Sequence, residues 1–511
     1  MPKSVLLGVD LGTSSCKVTA LNTDTETISH ASEPYDVRYP RENWAEQNPE
    51  VWYKKCQQTI SQVVEKLGSE AVVEAIGVTG QMIGAVVVDE KGQPVRPAIL
   101  WMDQRSAPQA EKLKDRIGEN ISQITKTPIN TAYTLPKLLW IKEEEPDTWK
   151  QIYRILLPKD YIRFKLTGVF ATDITDASGT LLFDSEECRW SDQIISETGI
   201  DYDYLPEVFS SHEVIGQTTM SATKELGLEK RVPVVAGAGD LFSENMAAGN
   251  VSAKHRLIRF GSCGSISAPL SEPRMDPEGH NPCYIHCTPN TWLLETSTQA
   301  FGLAYDWYVN NIFNRNNLRG KNTARESLRS QAETVVKDVQ PGADGVMFVP
   351  FTHGAPYWNP NLGGTFLGLS PTHDHKHLVR AVLEGISFSL EDALQQLEET
   401  GGFGKRSKYS WRCIGGGTNS PSWTNTVANV LGVDLHLVSE AGPAKGAALL
   451  AGIGAGLFAD FSEVIELTTS STEKICHSTD RHDTYQKVYR KYSRTVSKLE
   501  ELYKTCEWRQ E

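Results

Sequence analysis

The sequence has no long apolar run and no excess of basic residues. No stretch approaches the roughly 20 consecutive apolar residues that a membrane-spanning helix requires, so we expect no membrane-embedded segment. Lys and Arg total 51 against 64 Asp and Glu, which leaves a formal net charge of −13. Because a net acidic surface repels a phosphate backbone, nucleic acid is not an expected partner.

A regular cysteine pattern and a secretory leader are also missing. The nine cysteines are scattered and odd in number, which argues against a disulfide framework and favours reduced thiols. Residues 1–15 run directly into a strand-like apolar segment, without the longer apolar core and small-residue cleavage site of a signal peptide. These features together predict a cytoplasmic protein.

One cluster of residue types that bind metals lies in the second half of the chain: His280, Cys283, His286 and Cys287. A structural zinc site needs four ligands at characteristic spacing, and no second ligand pair follows at the spacing of a zinc finger. Residues 284–285 and 292–294 have the apolar character of strands. The sequence therefore favours an ordinary strand segment here, with a metal site as the alternative.

Length and apolar patterning indicate a two-domain α/β protein. A chain of 511 residues is too long for one ordinary hydrophobic core. Short β-branched runs alternate with longer amphipathic stretches, a pattern typical of α/β architecture. The pattern predicts strands at residues 5–9, 17–21, 75–78 and 85–88, and helices at residues 50–67, 378–397 and 485–503.

A weak internal repeat divides the chain into two halves. Residues 5–21 consist of two apolar runs joined by a small, glycine-containing turn, and residues 257–266 repeat this arrangement. We therefore expect one domain at residues 1–250 and a second at residues 251–511. Because no low-complexity linker separates the halves, they are predicted to pack as two lobes around a cleft.

The turn of the first repeat has the composition of a phosphate-binding hairpin. Successive backbone N–H groups in a tight turn can surround an anion, and Gly12 lets the backbone approach it closely. Thr13 and Ser14 add hydroxyl donors, and Lys17 adds positive charge. Asp10 offers a carboxylate of the kind that holds hydrated Mg²⁺. An ordinary polar hairpin is the alternative interpretation.

A second copy of the turn, with Gly261 and Ser262, favours phosphate binding, since two such hairpins could hold the phosphates of one nucleotide from both sides. Other nucleotide-binding patterns are missing. Residues 401–405 do not have the spacing of a P-loop, and residues 452–456 do not match the dinucleotide fingerprint. The small residues at 452–456 instead predict close helix packing.

Several segments, in the same order along the chain, resemble the FGGY family of carbohydrate kinases within the actin-like ATPase superfamily. Residues 133–144 resemble the first signature of that family, and residues 364–384 fit its second signature. Residues 156–161 and 173–180 are similar to segments of its xylulokinase branch, which the chain resembles most.

The resemblance implies two ribonuclease H-like domains that flank a catalytic cleft, with sugar binding in the N-terminal domain and nucleotide binding in the C-terminal domain. It implies ATP and Mg²⁺ as cofactors and transfer of the γ-phosphoryl group to a hydroxyl of a small sugar or polyol. Such chemistry depends on positioning and charge neutralisation more than on covalent catalysis. The family also suggests a homodimer.

Asp240 occupies the position of the family's catalytic base. It ends the apolar run 232–239, whose glycines leave room at the end of a buried strand. A carboxylate there can accept the proton of the attacking substrate hydroxyl. We expect Asp10 and Asp240 to share the Mg²⁺ site. From the residues alone, the alternative is a helix N-cap in front of residues 242–248.

The resemblance assigns nucleotide contacts to both halves of the chain: Thr13, Ser14, Lys17, Gly261, Ser262, Gly416, Gly417 and Asn419. Ser262 replaces a threonine of the family but keeps the hydroxyl. The glycines of residues 415–417 would let a flat purine lie on the backbone. Lys445 stands where an apolar residue is usual, and we expect it to be solvated rather than to contact a phosphate.

Sugar contacts are assigned by the resemblance to Gln81, Met82, Ile83, Asp103 and Arg105. A carboxylate and a guanidinium can fix several hydroxyls by directed hydrogen bonds. A local salt bridge between Asp103 and Arg105 is the alternative. Residues 44–49 resemble a loop at the rim of the same site.

Two positions depart from the xylulokinase pattern. Ile83 stands where xylulokinases typically have histidine, and Leu241 where they have asparagine. Both changes remove hydrogen-bonding groups beside the sugar, and unpaired hydroxyls are unfavourable to bury. We therefore expect a different ketose or polyol, or xylulose held through other contacts. A catalytically weak ATP-binding protein that acts as a sugar sensor or regulator is the alternative.

Overall fold

The computed structural model describes residues 2–298, 300–313, 325–352, 362–469 and 472–505. The chain divides into two units. The first comprises residues 1–253, 269–294 and 440–470, and the second comprises residues 254–268, 295–439 and 471–511. Each unit contains a mixed β-sheet together with helices, which confirms the predicted α/β class.

Strands range from two to ten residues. In chain order they are β1 Lys3–Leu11, β2 Ser15–Leu21, β3 Thr27–Pro34, β4 Glu46–Gln47, β5 Ala71–Gly80, β6 Val86–Val88, β7 Ala98–Ile99, β8 Arg154–Leu156, β9 Ala171–Asp173, β10 Phe183–Asp184, β11 Arg189–Trp190, β12 Glu207–Phe209, β13 Val214–Gln217, β14 Pro233–Val235, β15 Ala238–Gly239, β16 His255–Phe260, β17 Gly264–Leu270, β18 Cys283–Ile285, β19 Trp292–Thr298, β20 Met347–Val349, β21 Thr365–Leu367, β22 Ser410–Ile414, β23 Leu435–Leu437 and β24 Glu473–Ile475.

Helices range from a single turn to 27 residues. In chain order they are α1 Pro49–Leu67, α2 Ala107–Thr125, α3 Thr134–Glu144, α4 Pro146–Trp149, α5 Pro158–Thr167, α6 Ile174–Ser178, α7 Asp192–Thr198, α8 Met220–Glu225, α9 Asp240–Ala247, α10 Gly302–Tyr308, α11 Arg325–Val336, α12 His375–Gly401, α13 Pro421–Leu431, α14 Pro443–Gly454, α15 Phe461–Thr469 and α16 Thr479–Thr505. No helix in the described ranges is both long enough and apolar enough to cross a membrane.

The sheet of the first unit begins with an antiparallel hairpin and continues with parallel strands. Its order is β13–β14–β5–β1–β2–β3, and the short strand β15 also pairs with β5. β1 and β2 are antiparallel, whereas β5 is parallel to β1 and both β14 and β15 are parallel to β5. The apolar residues of β1 and β5 are mostly buried, as the strand prediction required.

Glycines explain why residues 440–470 belong to the first unit. A Cβ atom on Gly8 of β1 would lie 1.7 Å from the carbonyl oxygen of Ala444, and one on Gly77 of β5 would lie 1.9 Å from that of Ala447. Helix α14 therefore packs directly on the sheet backbone, which no larger residue at these positions permits. The unit is discontinuous for this reason, unlike the contiguous halves 1–250 and 251–511 expected from the repeat.

The second unit repeats the hairpin plan. β16 and β17 are antiparallel, and β22 lies parallel to β16, as β5 does to β1. The strand order there is β19–β17–β16–β22–β23–β24. The long helix α12, predicted at 378–397, is buried at every residue from 381 to 391, including Val382, Ile386 and Leu390.

The other predicted elements are also confirmed. The strands expected at 5–9, 17–21, 75–78 and 85–88 correspond to β1, β2, β5 and β6, and the helices expected at 50–67 and 485–503 correspond to α1 and α16. The small-residue run at 452–456 packs closely, as predicted: a Cβ on Gly452 would lie 2.4 Å from Phe458 Cε2.

One predicted strand was wrong in its continuity. Residues 232–239 were expected to form one buried strand, but the structure has β14 and β15 with a break between them. Gly237 has φ 77, and a Cβ there would lie 1.8 Å from the carbonyl oxygen of Val78. The chain therefore bends at Gly237 before β15 pairs again with β5, which a side chain at this position would prevent.

Candidate active site

Three parallel strands end together at one edge of the first sheet. Leu11 at the end of β1 pairs with Gly80 of β5, and Gly80 pairs with Gly239 of β15. Several predicted site residues lie at or just after the ends of these strands. Because the carboxyl ends of adjacent parallel strands meet at the same edge of a sheet, these residues lie close together. The residue after β5, Gln81, contacts the end of β1, since its backbone N–H donates to the carbonyl oxygen of Leu11 at 2.8 Å.

Asp10 lies one residue before the end of β1 and is 5% exposed. Burial and the negative charge of Asp240 together raise its pKa to about 7, and Lys17 opposes the shift. The Oδ1 atom of Asp10 is buried and has no hydrogen-bond partner in the described part of the chain. Two neighbouring carboxylates with an unsatisfied oxygen suit a divalent cation, which prefers such hard ligands. Asp10 and Asp240 thus fit the Mg²⁺ that the sequence predicted.

Asp240 is the first residue of α9 and not its N-cap, which is Gly239. The backbone N–H of Leu241 donates to Asp240 Oδ1 at 2.8 Å. The residue is partly exposed, so its carboxylate remains accessible at the positive end of a helix. The alternative interpretation of Asp240 as an N-cap therefore misses by one position.

A fully buried charge network lies in the first unit. The Nζ atom of Lys159 lies 2.7 Å from Asp160 Oδ1, 2.8 Å from Asp173 Oδ1 and 3.1 Å from Asp176 Oδ2, and Arg163 Nη2 lies 3.1 Å from Asp160 Oδ1. Two cations and three carboxylates leave one negative charge in excess. Burial raises the pKa of Asp176 well above its ordinary value; the neighbouring carboxylates raise it too, and Lys159 opposes the shift.

The network reaches the residue that precedes Asp240. Asp173 Oδ2 accepts a hydrogen bond from Thr175 Oγ1 at 2.7 Å. Thr175 Oγ1 in turn accepts one from the backbone N–H of Gly239 at 3.0 Å. The sequence resemblance covered residues 156–161 and 173–180 but assigned them no role. The available signal for the network was charged residues placed between apolar ones.

The tip of the first hairpin is held by two side chains from other loops. Gln47 Nε2 donates to the carbonyl oxygen of Thr13 at 2.8 Å, and Trp101 Nε1 donates to Thr13 Oγ1 at 3.2 Å. Ser14 and Lys17 remain exposed. The hairpin therefore keeps a hydroxyl and an ammonium group available for an anion. The sequence placed Gln47 only in a rim loop and did not predict this contact.

The sugar-loop residues surround the same strand edge. Gln81 is 2% exposed; its Nε2 donates to Gln47 Oε1 at 3.0 Å, and its Oε1 has no partner in the described residues. Met82 packs against β15, since a Cβ on Gly239 would lie 2.5 Å from Met82 Cγ. This contact brings Met82 beside Asp240.

Ile83 adopts a left-handed backbone conformation with φ 56. This conformation is an outlier for a β-branched residue, and its carbonyl oxygen accepts a hydrogen bond from Thr134 Oγ1 at 3.1 Å. Met82, Ile83 and Leu241 are partly buried and pack against the apolar core. Positions 82, 83 and 241 therefore present apolar side chains, as the sequence indicated.

Asp103 and Arg105 form a buried ion pair with each other. Arg105 Nε and Nη2 donate to the two carboxylate oxygens at 2.9 and 2.7 Å, and Nη1 donates to Glu46 Oε1 at 2.7 Å. The guanidinium lies 3.8 Å from the ring centroid of Trp44. The local salt bridge left open by the sequence is present, and a sugar contact by this pair stays a prediction.

A separate pocket in the second unit collects four predicted nucleotide residues. It has a volume of about 410 Å³ and is lined by Gly261, Ser262, Gly416 and Gly417, with Phe260, Gly302, Asp306, Arg329 and Trp423. No atom lies within 4 Å of a Cβ built on Gly416, so this glycine leaves an open face.

Two charged residues of this pocket were missed by sequence reasoning. Arg329 Nε donates to Asp306 Oδ1 at 3.1 Å. They come from α11 and α10, which carry no nucleotide-binding pattern. Asn419 is exposed and is not among the residues that line the pocket.

Two lesser expectations concern Lys445 and the cysteine–histidine cluster. Lys445 is partly buried, and burial lowers the pKa of its ammonium group, so it is not simply solvated. Cys283 lies in β18, as the strand prediction required. In the described part of the chain, no group of three or more His, Cys, Asp or Glu residues is arranged to hold a metal ion.

Comparison with known proteins identifies the family. The profile of the FGGY family of carbohydrate kinases, N-terminal domain, matches residues 5–247, and that of its C-terminal domain matches residues 262–455. The chain belongs to the FGGY family of carbohydrate kinases. This carbohydrate kinase is a phosphotransferase with an alcohol group as acceptor, and it uses ATP with Mg²⁺.

Several relatives of this carbohydrate kinase are named for one substrate. It is 32% identical to a xylulose kinase of Bacillus subtilis over 90% of each chain. It is 34% identical to that of Lactococcus lactis over 89% of this chain and 88% of the relative. The crystal structure of xylulose kinase from Rhodospirillum rubrum has a TM-score of 0.89 and 26% identity, over 98% of this chain and 99% of that one. The predicted actin-like ATPase fold is thereby confirmed.

Proposed function

We propose that this kinase phosphorylates a hydroxyl of a ketopentose such as xylulose, or of a related ketose or polyol, with Asp240 as general base. The observation that carries the proposal is the shared strand edge, where the ends of β1, β5 and β15 bring together Asp10, Gln81 and Asp240. Xylulose enters as a candidate because the relatives named above are xylulose kinases.

The base acts through its accessible carboxylate. Asp240 accepts the proton of the substrate hydroxyl as that oxygen attacks the γ-phosphorus of ATP, and ADP leaves from the opposite side. The positive end of α9 favours a negative charge at this position, and the N–H of Leu241 orients the carboxylate before the proton arrives.

Asp10 and Asp240 would hold the Mg²⁺ ion, which neutralises phosphate charge when it is bound. Thr13, Ser14 and Lys17 of the first hairpin would donate to phosphate oxygens, and Gly261 and Ser262 of the second hairpin would add backbone and hydroxyl donors. Adenosine would occupy the pocket of about 410 Å³ against Gly416 and Gly417.

The sugar would contact Gln81 and the apolar side chains of Met82, Ile83 and Leu241. The unsatisfied Gln81 Oε1 offers one acceptor to a sugar hydroxyl. Because two neighbouring positions are apolar, fewer hydroxyls can be satisfied there, and a substrate with many hydroxyls on that side binds less well.

A substrate panel tests the proposal. ADP release with Mg-ATP would be measured against pentuloses, tetruloses, hexuloses, polyols and glycerol. We expect at least one ketose or polyol to stimulate turnover well above the rate without sugar. No stimulated turnover across the panel would contradict the proposal and favour the sensor alternative.

The double variant Ile83→His, Leu241→Asn is the matched test of substrate choice. Histidine tolerates the left-handed backbone at position 83 better than isoleucine does. We expect kcat/KM for xylulose to rise relative to the best panel substrate. An unchanged ratio would show that these two positions do not select the sugar.

A further inference from the structure

A second pocket of the second unit collects positive charge. Its volume is about 300 Å³, and Lys337, Arg380 and Arg481 line it together with polar residues such as Ser422 and Asn425. No aspartate or glutamate of the described chain lines this pocket. We refer to this pocket as the basic pocket. The phosphoryl-transfer reaction proposed above uses none of its lining residues.

Two of the three basic side chains of the basic pocket have no acidic partner in the part of the chain that the structure describes. Within the described residues, neither Lys337 nor Arg481 forms an ion pair with a carboxylate. Asp338, which follows Lys337, lies 3.9 Å from Lys376 instead. In a chain with a net charge of −13, basic side chains that converge without acidic partners are unusual, and they create a local positive potential.

Arg380 is largely buried and has one carboxylate nearby. Its side chain is 13% exposed, and its Nε lies 4.0 Å from Glu384 Oε1. Burial raises the pKa of Glu384 to about 8, and the guanidinium of Arg380 opposes that shift. Arg380 Nη2 also donates to the carbonyl oxygens of Val336 and Val339, each at 3.0 Å, which holds the guanidinium in place.

We propose that the basic pocket binds a small phosphate-bearing metabolite. Ammonium and guanidinium groups form strong charge-assisted hydrogen bonds with phosphate oxygens, and Lys337 and Arg481 are free to provide them. Ser422 and Asn425 add groups that can contact hydroxyls on the organic part. A volume of about 300 Å³ lies at the lower end of ligand pockets, which suits a phosphate with a short carbon chain.

The basic pocket shares two helices with the proposed nucleotide pocket. Arg329 of α11 lines the nucleotide pocket, and Lys337 follows the last residue of the same helix. Trp423 of α13 lines the nucleotide pocket, and the adjacent Ser422 lines the basic pocket. Glu333 of α11 joins the helices, because its Oε2 accepts from the N–H of Ser422 at 3.0 Å.

Shared walls make the two pockets energetically linked. A ligand that shifts α11 or α13 at one pocket changes the other, and the effect on affinity is reciprocal. We therefore expect occupancy of the basic pocket to change the affinity for ATP.

Calorimetry on the full-length protein tests the binding site. The protein would be saturated with Mg²⁺ and a non-hydrolysable ATP analogue, so that the nucleotide pocket is filled. The probes would be inorganic phosphate, ribose 5-phosphate and unphosphorylated ribose. We expect ribose 5-phosphate to bind once per chain and ribose not to bind at this site. Absence of binding by both phosphate probes would overturn the proposal.

Two matched double variants locate the bound probe. Lys337→Ser, Arg481→Ser removes two charges of the basic pocket, and we expect it to weaken ribose 5-phosphate binding about 10-fold or more. Lys487→Ser, Arg490→Ser removes two exposed charges of α16 that do not line the pocket, and affinity should stay within about twofold. Unchanged affinity in the first variant, or equal loss in both, would overturn the assignment.

The linkage has its own readout. The dissociation constant of the ATP analogue would be measured with and without ribose 5-phosphate. We expect a shift of about threefold or more in the wild-type protein and none in Lys337→Ser, Arg481→Ser. If calorimetry shows binding but the constant does not change in the wild type, the proposed linkage through α11 and α13 is wrong.

Discussion

The two hairpins share one backbone plan but differ in the charged residue next to the end of their first strand, Asp10 in β1 and Arg259 in β16. β1 and β2 pair Asp10 with Lys17, whereas β16 and β17 pair Arg259 with Ser265. Burial raises the pKa of Asp10 to about 7, and its Oδ1 lacks a partner in the described residues. Arg259 Nη1 instead donates to Ser265 Oγ at 3.1 Å and lies 3.9 Å from Glu295 Oε1.

This difference suits the two hairpins to different tasks, metal binding in the first and anion binding in the second. A buried carboxylate with an unsatisfied oxygen is unfavourable unless a cation or a proton joins it. The first hairpin is therefore suited to hold a metal beside the proposed base. In the second hairpin, Arg259 is engaged by Ser265 of β17 and Glu295 of β19, so the hairpin offers an anion mainly its backbone and the hydroxyl of Ser262.

Exchanging the charged residue in each hairpin should have unequal effects. We expect Asp10→Asn to lower kcat/KM for Mg-ATP about 100-fold, because it removes a charge that acts on the transferring phosphoryl group. Arg259→Gln should change it by no more than about threefold. Steady-state kinetics of both variants, with circular dichroism to confirm folding, would measure this. Equal losses would remove the distinction between the hairpins.

The pH dependence of Mg²⁺ binding sharpens the same contrast. Below about pH 7 a proton on Asp10 competes with the metal, so the Mg²⁺ concentration for half-saturation should fall by up to about tenfold per pH unit as pH rises towards 7. Above that value it should level off. Asp10→Asn should abolish this slope, and a slope that survives in the variant would assign it to another group.

Two neighbouring glycines of the segment after β22, Gly416 and Gly417, differ in how much space surrounds them. We expect Gly416→Val to raise KM for ATP about tenfold with little change in thermal stability, since no atom lies within 4 Å of its Cβ position. The control is Gly417→Ala, whose Cβ would lie 2.6 Å from Trp423 Cζ3 and should lower the melting temperature. An unaltered KM in Gly416→Val would place the purine elsewhere.

The smallest expected effect concerns the buried network of the first unit, which has no counterpart among the hairpin residues of the second. Thr175→Val removes the hydroxyl that joins Asp173 to Gly239. We expect kcat to fall about fivefold, as for the loss of one buried hydrogen bond. Thr175→Ser keeps the hydroxyl and should restore kcat. A serine variant as slow as the valine variant would show that the methyl group matters instead.

Local pattern predicted much of this arrangement. Strands β1 and β5 consist mostly of apolar residues, and the turn residues Gly12 and Gly261 mark both hairpins. Residues that depend on long-range packing were not readable. The break at Gly237 exists because the carbonyl of Val78 lies against it, and the pair of Asp306 and Arg329 joins segments 23 residues apart. Such contacts leave no periodic signal in the chain.

The discontinuity of the first unit has the same cause. Gly446 sits where a Cβ would lie 1.8 Å from the carbonyl oxygen of Ser243, so α14 returns to α9 across about 200 intervening residues of chain. A run of small residues predicted close packing but not the partner. The repeat alone therefore suggested contiguous halves.

Phosphoryl transfer by Asp240→Asn tests the central claim most directly. The amide preserves shape and the contact with the N–H of Leu241 but cannot accept the substrate proton. With the best sugar of the panel, we expect kcat to fall by about 100- to 10,000-fold, while calorimetry shows that the ATP analogue still binds. A variant that turns over at a near-normal rate would contradict the assignment of Asp240 as the catalytic base.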